Sequence, residues 1–213
     1  MNIATQQSIT LPGQLSISRQ QLLTLSLAFC GFSSVGAISL TMFQVGSLSL
    51  LFSIWVIPSI ILISICGLAY PSRGILCLKG WLAGLVAVFL YDVSRVPFIL
   101  AGWDDFIPQI GVWLLGRENA HPAFGYVYRY AGNGGGMGIS FVLIAHVFNI
   151  RMSLVKTAVI YGLAVFTCLM LTLIISPLGQ DEMFEITPLT FTGSLIGHII
   201  YGLVLGLMLR RLE

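Results

Sequence analysis

Long apolar runs separated by short polar breaks make up most of this chain. The runs cover residues 21–43, 47–69, 78–101, 123–150, 154–176 and 189–209, with breaks such as Gly46, Pro71 and Pro177 between them. A helix needs about 20 predominantly apolar residues to cross the hydrocarbon core of a bilayer. The pattern therefore predicts an all-α integral membrane protein, a six-transmembrane-helix bundle.

The segment from Trp103 to Asn119 is also rich in apolar and aromatic residues, but it is too interrupted to cross. Pro108, two aspartates and flanking charges break it. Tryptophan is enriched where the bilayer meets water, which suits Trp103 and Trp113. We expect an interfacial or re-entrant segment between the third and fourth helices.

The remaining chain is short. Residues 1–20 are predicted to form a polar N-terminal segment, residues 21–209 a single transmembrane domain, and residues 210–213 a C-terminal tail. Only 8% of the residues are charged, whereas soluble domains carry about 25%. The composition therefore agrees with the pattern and leaves no sizeable soluble domain.

The basic residues are distributed unevenly between the two predicted sides of the membrane. One side holds seven of them: Arg19, Arg73, Lys79, Arg151, Lys156, Arg210 and Arg211. The opposite loops hold Arg117 and most of the acidic residues. Short cytoplasmic loops carry the excess of Lys and Arg, so we expect both termini in the cytoplasm. The expected location is the bacterial inner (plasma) membrane or an equivalent one.

Charge and cysteine content exclude several classes of partner. A net charge of +2 with scattered basic residues does not favour a nucleic-acid partner. The four cysteines form no CxxC or Cys/His spacing, so neither a metal site nor a disulfide framework is indicated. We expect no cofactor.

Polar residues inside the predicted spans are the best indicators of a site, because charged groups in lipid are costly and are usually buried and paired. Asp92 and Arg95 stand three residues apart on one face of the third span, followed by Pro97, which predicts a kink or an early helix end. A helix rises about 1.5 Å per residue. Counted inward from the predicted outer ends of the spans, polar residues of three spans lie at two shared depths. The predicted ligand-binding set is Asp92, Arg95, Tyr126, Arg129, Asn133 and His198. The Asp92/Arg95 pair could instead only tie the helices together.

Five glycines fall between Gly132 and Gly138, in the middle of the fourth span. One interpretation is close helix packing, since GxxxG spacing recurs there and at Gly80/Gly84, Gly193/Gly197 and Gly202/Gly206. The other is a locally unwound helix that lines a cavity, as in some transporters. The sequence leaves both open.

Three functions remain in consideration. The first is a small transporter or binding protein for an anionic or amphiphilic ligand held by Arg95 and Arg129, with Asp92 or His198 available for proton coupling. The second is a non-catalytic membrane subunit or assembly factor, with a membrane-protein partner or a second copy as in a homodimer. The third is a membrane-embedded enzyme acting on a lipid, quinone or isoprenoid. No HExxH or GxSxG motif supports an enzyme.

Overall fold

The computed structural model describes residues 18–150 and 152–212, and these residues form helices joined by short loops, with no strand. Most of the predicted segment 1–20 lies outside the described residues. The helices are α1 (Arg19–Gly31), α2 (Ser33–Met42), α3 (Leu48–Leu51), α4 (Ile57–Ala69), α5 (Pro71–Leu100), α6 (Ile107–Leu115), α7 (Ala123–Val127), α8 (Gly135–Val147), α9 (Leu154–Ile175) and α10 (Pro188–Leu212). Three segments are π-helical, with backbone hydrogen bonds between residues five apart instead of four. They are Phe52–Val56, Tyr128–Gly134 and Gly179–Met183.

Four helices of the described chain are long and apolar enough to cross a membrane. They are Leu48–Ala69, Pro71–Leu100, Leu154–Ile175 and Pro188–Leu212, and α1 with α2 makes a fifth if this pair, bent by 53°, is one span. Residues 123–147 are helical throughout, but they are not in this set. The predicted count of six spans is therefore not confirmed.

Helix α5 starts earlier than the predicted span 78–101 and ends within one residue of it. It begins at Pro71 instead of residue 78, because proline suits the first turn of a helix, where its missing N–H is not needed. Pro97 lies inside the helix, which continues to Leu100. The early end predicted just past Arg95 does not occur, since a proline in the last turn removes only one backbone hydrogen bond.

Glycines allow the central helices to touch. Helix α10 packs between α9 and α5, α5 packs on α8, and α8 packs on α1. A Cβ atom on Gly84 would lie 2.2 Å from the carbonyl oxygen of Gly134, and one on Gly138 would lie 2.1 Å from that of Gly80. The close-packing interpretation of these GxxxG pairs is confirmed, and residues 132–138 are helical instead of unwound.

The two ends of the bundle differ in their side-chain hydrogen bonds and helix contacts. At the predicted inner end, the Lys79 ammonium group donates a hydrogen bond to the carbonyl of Leu212, joining the first turns of α5 to the end of α10. At the predicted outer end, the Trp113 indole on α6 donates to Glu182 at 3.2 Å. The short helix α6 packs against α7, where Gly125 lies against the carbonyl of Ile107. This outer end contains the candidate site.

Candidate functional site

Four charged side chains form an alternating network at the outer end, called here the ion quartet: Arg129, Asp92, Arg95 and Asp105. Arg129 pairs with Asp92 at 3.0 Å, Asp92 pairs with Arg95 at 3.5 Å, and Arg95 pairs with Asp105 at 3.0 Å. Two positive charges thus meet two negative ones, so the quartet has no net formal charge. It joins α5, the loop before α6, and the π-helical segment after α7.

Arg95 is the most enclosed member of the quartet, with 1% of its surface exposed. Its guanidinium lies 4.7 Å from the centre of the Trp103 ring and 5.5 Å from that of Phe106. An aromatic face attracts a cation, and more strongly where water is excluded. Trp103 is itself buried, and it covers the Arg95 guanidinium.

Asp105 comes from the loop between α5 and α6 and accepts three hydrogen bonds. The donors are the Tyr126 hydroxyl at 2.6 Å, an Arg95 nitrogen at 3.0 Å and the backbone N–H of Ile107 at 3.2 Å. Burial raises the pKa of this carboxyl, but the Tyr126 hydrogen bond, the Arg95 charge and the Ile107 N–H together outweigh burial. The pKa of Asp105 therefore lies below its ordinary value, which keeps the carboxylate ionised.

Arg129 lies on the π-helical segment Tyr128–Gly134, and its guanidinium is stacked 4.6 Å from the centre of the Tyr91 ring. Such segments occur frequently at functional sites, because the extra residue redirects side chains and frees carbonyls. Two carbonyls of this segment accept bonds from other helices, Gly134 from the Tyr201 hydroxyl at 2.9 Å and Ala131 from the Trp81 indole at 3.1 Å.

The remaining two predicted residues lie beside the quartet and not in it. His198 is buried, contacts the carbonyl of Ser194 at 2.8 Å through Nδ1, and packs edge-on against Tyr91 at 5.0 Å between ring centres. Asn133 is buried, and its Oδ1 has no hydrogen-bond partner within the described residues. Tyr91 therefore contacts both His198 and the Arg129 guanidinium.

A cavity of about 250 Å³ opens beside the quartet. Asp92, Arg95, Asp105 and Tyr126 provide its polar lining, and Phe89, Val93, Val96, Ile99 and Ile107 are among its apolar lining residues. Phe89, Val93 and Val96 are also exposed on the outside of the bundle, so the cavity opens sideways. Of the six predicted residues, Asp92, Arg95 and Tyr126 line it.

Several polar atoms of the quartet are buried without a hydrogen-bond partner in the part of the chain that the structure describes. They are Asp92 Oδ2, Arg95 Nε and Arg129 Nε. Buried polar atoms in folded proteins are nearly always satisfied, so each exception needs an explanation. One explanation is a bound polar molecule that forms hydrogen bonds with these atoms.

Asp105 is the site residue that the sequence interpretation missed, because it stands in a loop and the candidate set was drawn from polar residues inside the predicted spans. The balance of charges in the predicted spans could have indicated this residue. Two arginines and one aspartate at the predicted outer depth leave one positive charge without a partner, which requires another carboxylate nearby.

No metal site is evident in residues 18–150 and 152–212, where no three His, Cys, Asp or Glu side chains are grouped closely enough to hold an ion. The long apolar helices and the buried quartet suggest a membrane protein. Comparison of the chain with protein-family models, with curated proteins and with solved structures gives no match.

Proposed function

We propose that this chain is a small membrane protein that binds, and as a transporter moves, an amphiphilic molecule whose polar head occupies the cavity beside the ion quartet. The observation that carries the proposal is the shape of the cavity. A charged floor of Asp92, Arg95 and Asp105 meets apolar walls that are open towards the surrounding lipid. Such a site suits a molecule with a polar head and an apolar tail.

The quartet also restricts the head group. Because each arginine already has a carboxylate partner, a net negative charge would gain little from the site. Among the cavity-lining residues, the quartet atoms without a partner in the described chain are an acceptor, Asp92 Oδ2, and a donor, Arg95 Nε. A head group that both donates and accepts hydrogen bonds, zwitterionic or neutral, satisfies these atoms better than a simple anion does.

The proposed topology has six spans with both termini in the cytoplasm. Residues 123–147 form an uninterrupted helical stretch that has the length of a span at about 1.5 Å per residue, and it packs in the centre of the bundle. A helix surrounded by other helices tolerates glycines and polar residues that would be costly against lipid. With this stretch counted, the cavity belongs to the outer half of the membrane, and α6 is a short interfacial helix.

The experiment blocks the cavity without changing the quartet. Val93 lies on the exposed face of α5 and lines the cavity, whereas Val86, two turns earlier on the same face, does not. We therefore compare wild type, Val93→Trp and the matched control Val86→Trp by native mass spectrometry, with extraction and identification of bound small molecules after gentle solubilisation.

A bound amphiphile in wild type and in Val86→Trp, and its loss in Val93→Trp, would support the proposal and name the ligand class. Equal retention by all three proteins would place the ligand elsewhere. A wild type that carries no small molecule but retains a stoichiometric protein partner would instead favour the membrane-subunit hypothesis.

A further inference from the structure

A second cavity lies at the inner end of the bundle, at the opposite end of α5 from the ion quartet. It has a volume of about 460 Å³ and is called here the inner cleft. The start of α1, the turn between α4 and α5, and the end of α8 form its walls, and its lining includes Arg19, Leu23, Tyr70, Ser72, Arg73 and His146.

The inner cleft is positively charged. The ion pairs found in the described residues all lie in the quartet, so neither Arg19 nor Arg73 is neutralised by a described carboxylate. Seven of the eight acidic residues fall between positions 92 and 185, in the outer half of α5 or in the outer loops, and the eighth, Glu213, lies outside the described residues. Two basic groups that share a cleft without a protein anion attract an anion from outside.

Backbone geometry adds to this attraction. Helices α1 and α5 both begin at the cleft, and helix N-termini carry partial positive charge. Ser18 and Gln21 already cap the start of α1, so the start of α5 is the open one. No side chain caps the start of α5, where Ser72 offers a hydroxyl group. The Arg73 guanidinium lies 5.1 Å from the centre of the Tyr70 ring, which holds it at the mouth of the cleft.

The surroundings of the cleft indicate a lipid in place of a free ion. Exposed apolar side chains lie next to the cleft residues along the chain. They are Leu22, three residues from Arg19 and 59% exposed, Leu68, two residues from Tyr70 and 84% exposed, and Ile75, two residues from Arg73 and 57% exposed. Apolar side chains of this kind suit acyl chains. Basic pockets between helices on the cytoplasmic side of membranes commonly bind lipid head groups.

We infer that the inner cleft binds the phosphate head group of an anionic lipid through Arg19, Arg73 and the helix termini, with the acyl chains against the neighbouring apolar residues. This site is separate from the cavity beside the quartet. Its occupant has a net negative charge, whereas the quartet favours a head group without one.

The test compares Arg19→Gln/Arg73→Gln with the matched control Arg210→Gln/Arg211→Gln. The control also removes two exposed basic residues at the same end of the bundle, but outside the cleft. Binding of phosphatidylglycerol and of phosphatidylcholine is titrated by native mass spectrometry in detergent. A third titration follows the thermal midpoint with inorganic phosphate, with chloride at matched ionic strength and with phosphatidylglycerol.

Wild type is expected to prefer phosphatidylglycerol, and the cleft variant to bind it about 10- to 30-fold more weakly, given the contribution of each basic residue near an anionic lipid surface. The control is expected to stay close to wild type. Equal losses in both variants would overturn the inference, since they would reflect general surface attraction.

Two further outcomes would also overturn the inference. Stabilisation by inorganic phosphate alone, equal to that by the lipid, would overturn the assignment to a lipid. A competition of wild type between the two lipids needs no variant, so it tests the inference even if the cleft variant does not fold. Equal binding of both lipids there would refute the inference.

Discussion

Neutralising Asp105 tests whether the ion quartet holds the outer end of the bundle together. In Asp105→Asn the amide oxygen can still accept from Ile107 in the Oδ1 position, and the amide nitrogen in the Oδ2 position can donate to the Tyr126 hydroxyl, which then accepts. The change therefore removes the charge and reverses one hydrogen bond. Arg95 would keep only Asp92, at 3.5 Å, and Asp92 already pairs with Arg129 at 3.0 Å. Two buried cations would then share one carboxylate.

The magnitude follows from the burial of the pair. The side chain of Arg95 is 2% exposed and that of Asp105 is 22% exposed. Breaking a fully buried pair by removing one partner costs about 3–5 kcal/mol. Because Asp105 is partly solvated, we expect a smaller loss in the free energy of unfolding, about 2–3 kcal/mol, at or just below the lower end of that range.

The assay is thermal unfolding in detergent, followed by tryptophan fluorescence, with Asp104→Asn as the matched control. Asp104 is the exposed neighbour and takes part in no ion pair within the described residues. Asp105→Asn should unfold at a clearly lower temperature than wild type, and Asp104→Asn should match wild type.

A double variant separates the ion pair from other effects. Arg95→Met with Asp105→Asn removes both charges and leaves the Asp92–Arg129 pair in balance. Its loss in stability should be smaller than the sum of the two single losses by about 1 kcal/mol or more, which is the mark of interacting residues. Additive losses, or an Asp105→Asn variant as stable as Asp104→Asn, would refute this reasoning.

Three further predictions concern pH and packing. The pKa of Asp105 is lower in the folded protein than its ordinary value, so its contribution is complete above the ordinary pKa and is lost as the pH falls through the folded pKa. The stability gap between wild type and Asp105→Asn should therefore close in acid. Gly84→Ala places a Cβ atom 2.2 Å from the Gly134 oxygen, whereas Gly46→Ala meets only contacts of 3.6 Å or more. We expect the first to lose about 1–2 kcal/mol in unfolding free energy and the second to lose little. Tyr201→Phe, which removes the 2.9 Å bond to Gly134, should cost about 1 kcal/mol in the same assay without changing ligand content.

Much of the architecture could be predicted from local pattern. Apolar runs indicated the positions of the long helices, since length and composition alone decide whether a helix can cross lipid. GxxxG spacing indicated close helix contacts such as that of Gly80 with Gly138. The pairing of Asp92 with Arg95 was also predictable, because three residues is nearly one helical turn.

The composition of the site required the tertiary structure. Asp105 stands ten residues after Arg95 in a loop, and nothing in its local sequence shows that the loop folds back over the end of α5. Trp103 is buried by the same fold-back, although its position next to charged residues suggested a membrane interface. Depth along a helix, which the sequence does supply, says nothing about rotation around the bundle. The sequence therefore could not show that His198, placed in the ligand-binding set by its depth, packs against Tyr91 and takes no part in the quartet.

Sequence alone thus determined the properties that depend on one helix at a time: apolar length, the spacing of polar residues along a face, and the places where glycine permits contact. Only the tertiary structure decided which charges neutralise each other, where the two cavities open, and which arginines have no carboxylate partner among the described residues. The physical reason is that electrostatic energy depends on distances between atoms. Those distances are set by the path of the loops and the rotation of each helix, which involve residues far apart in the chain.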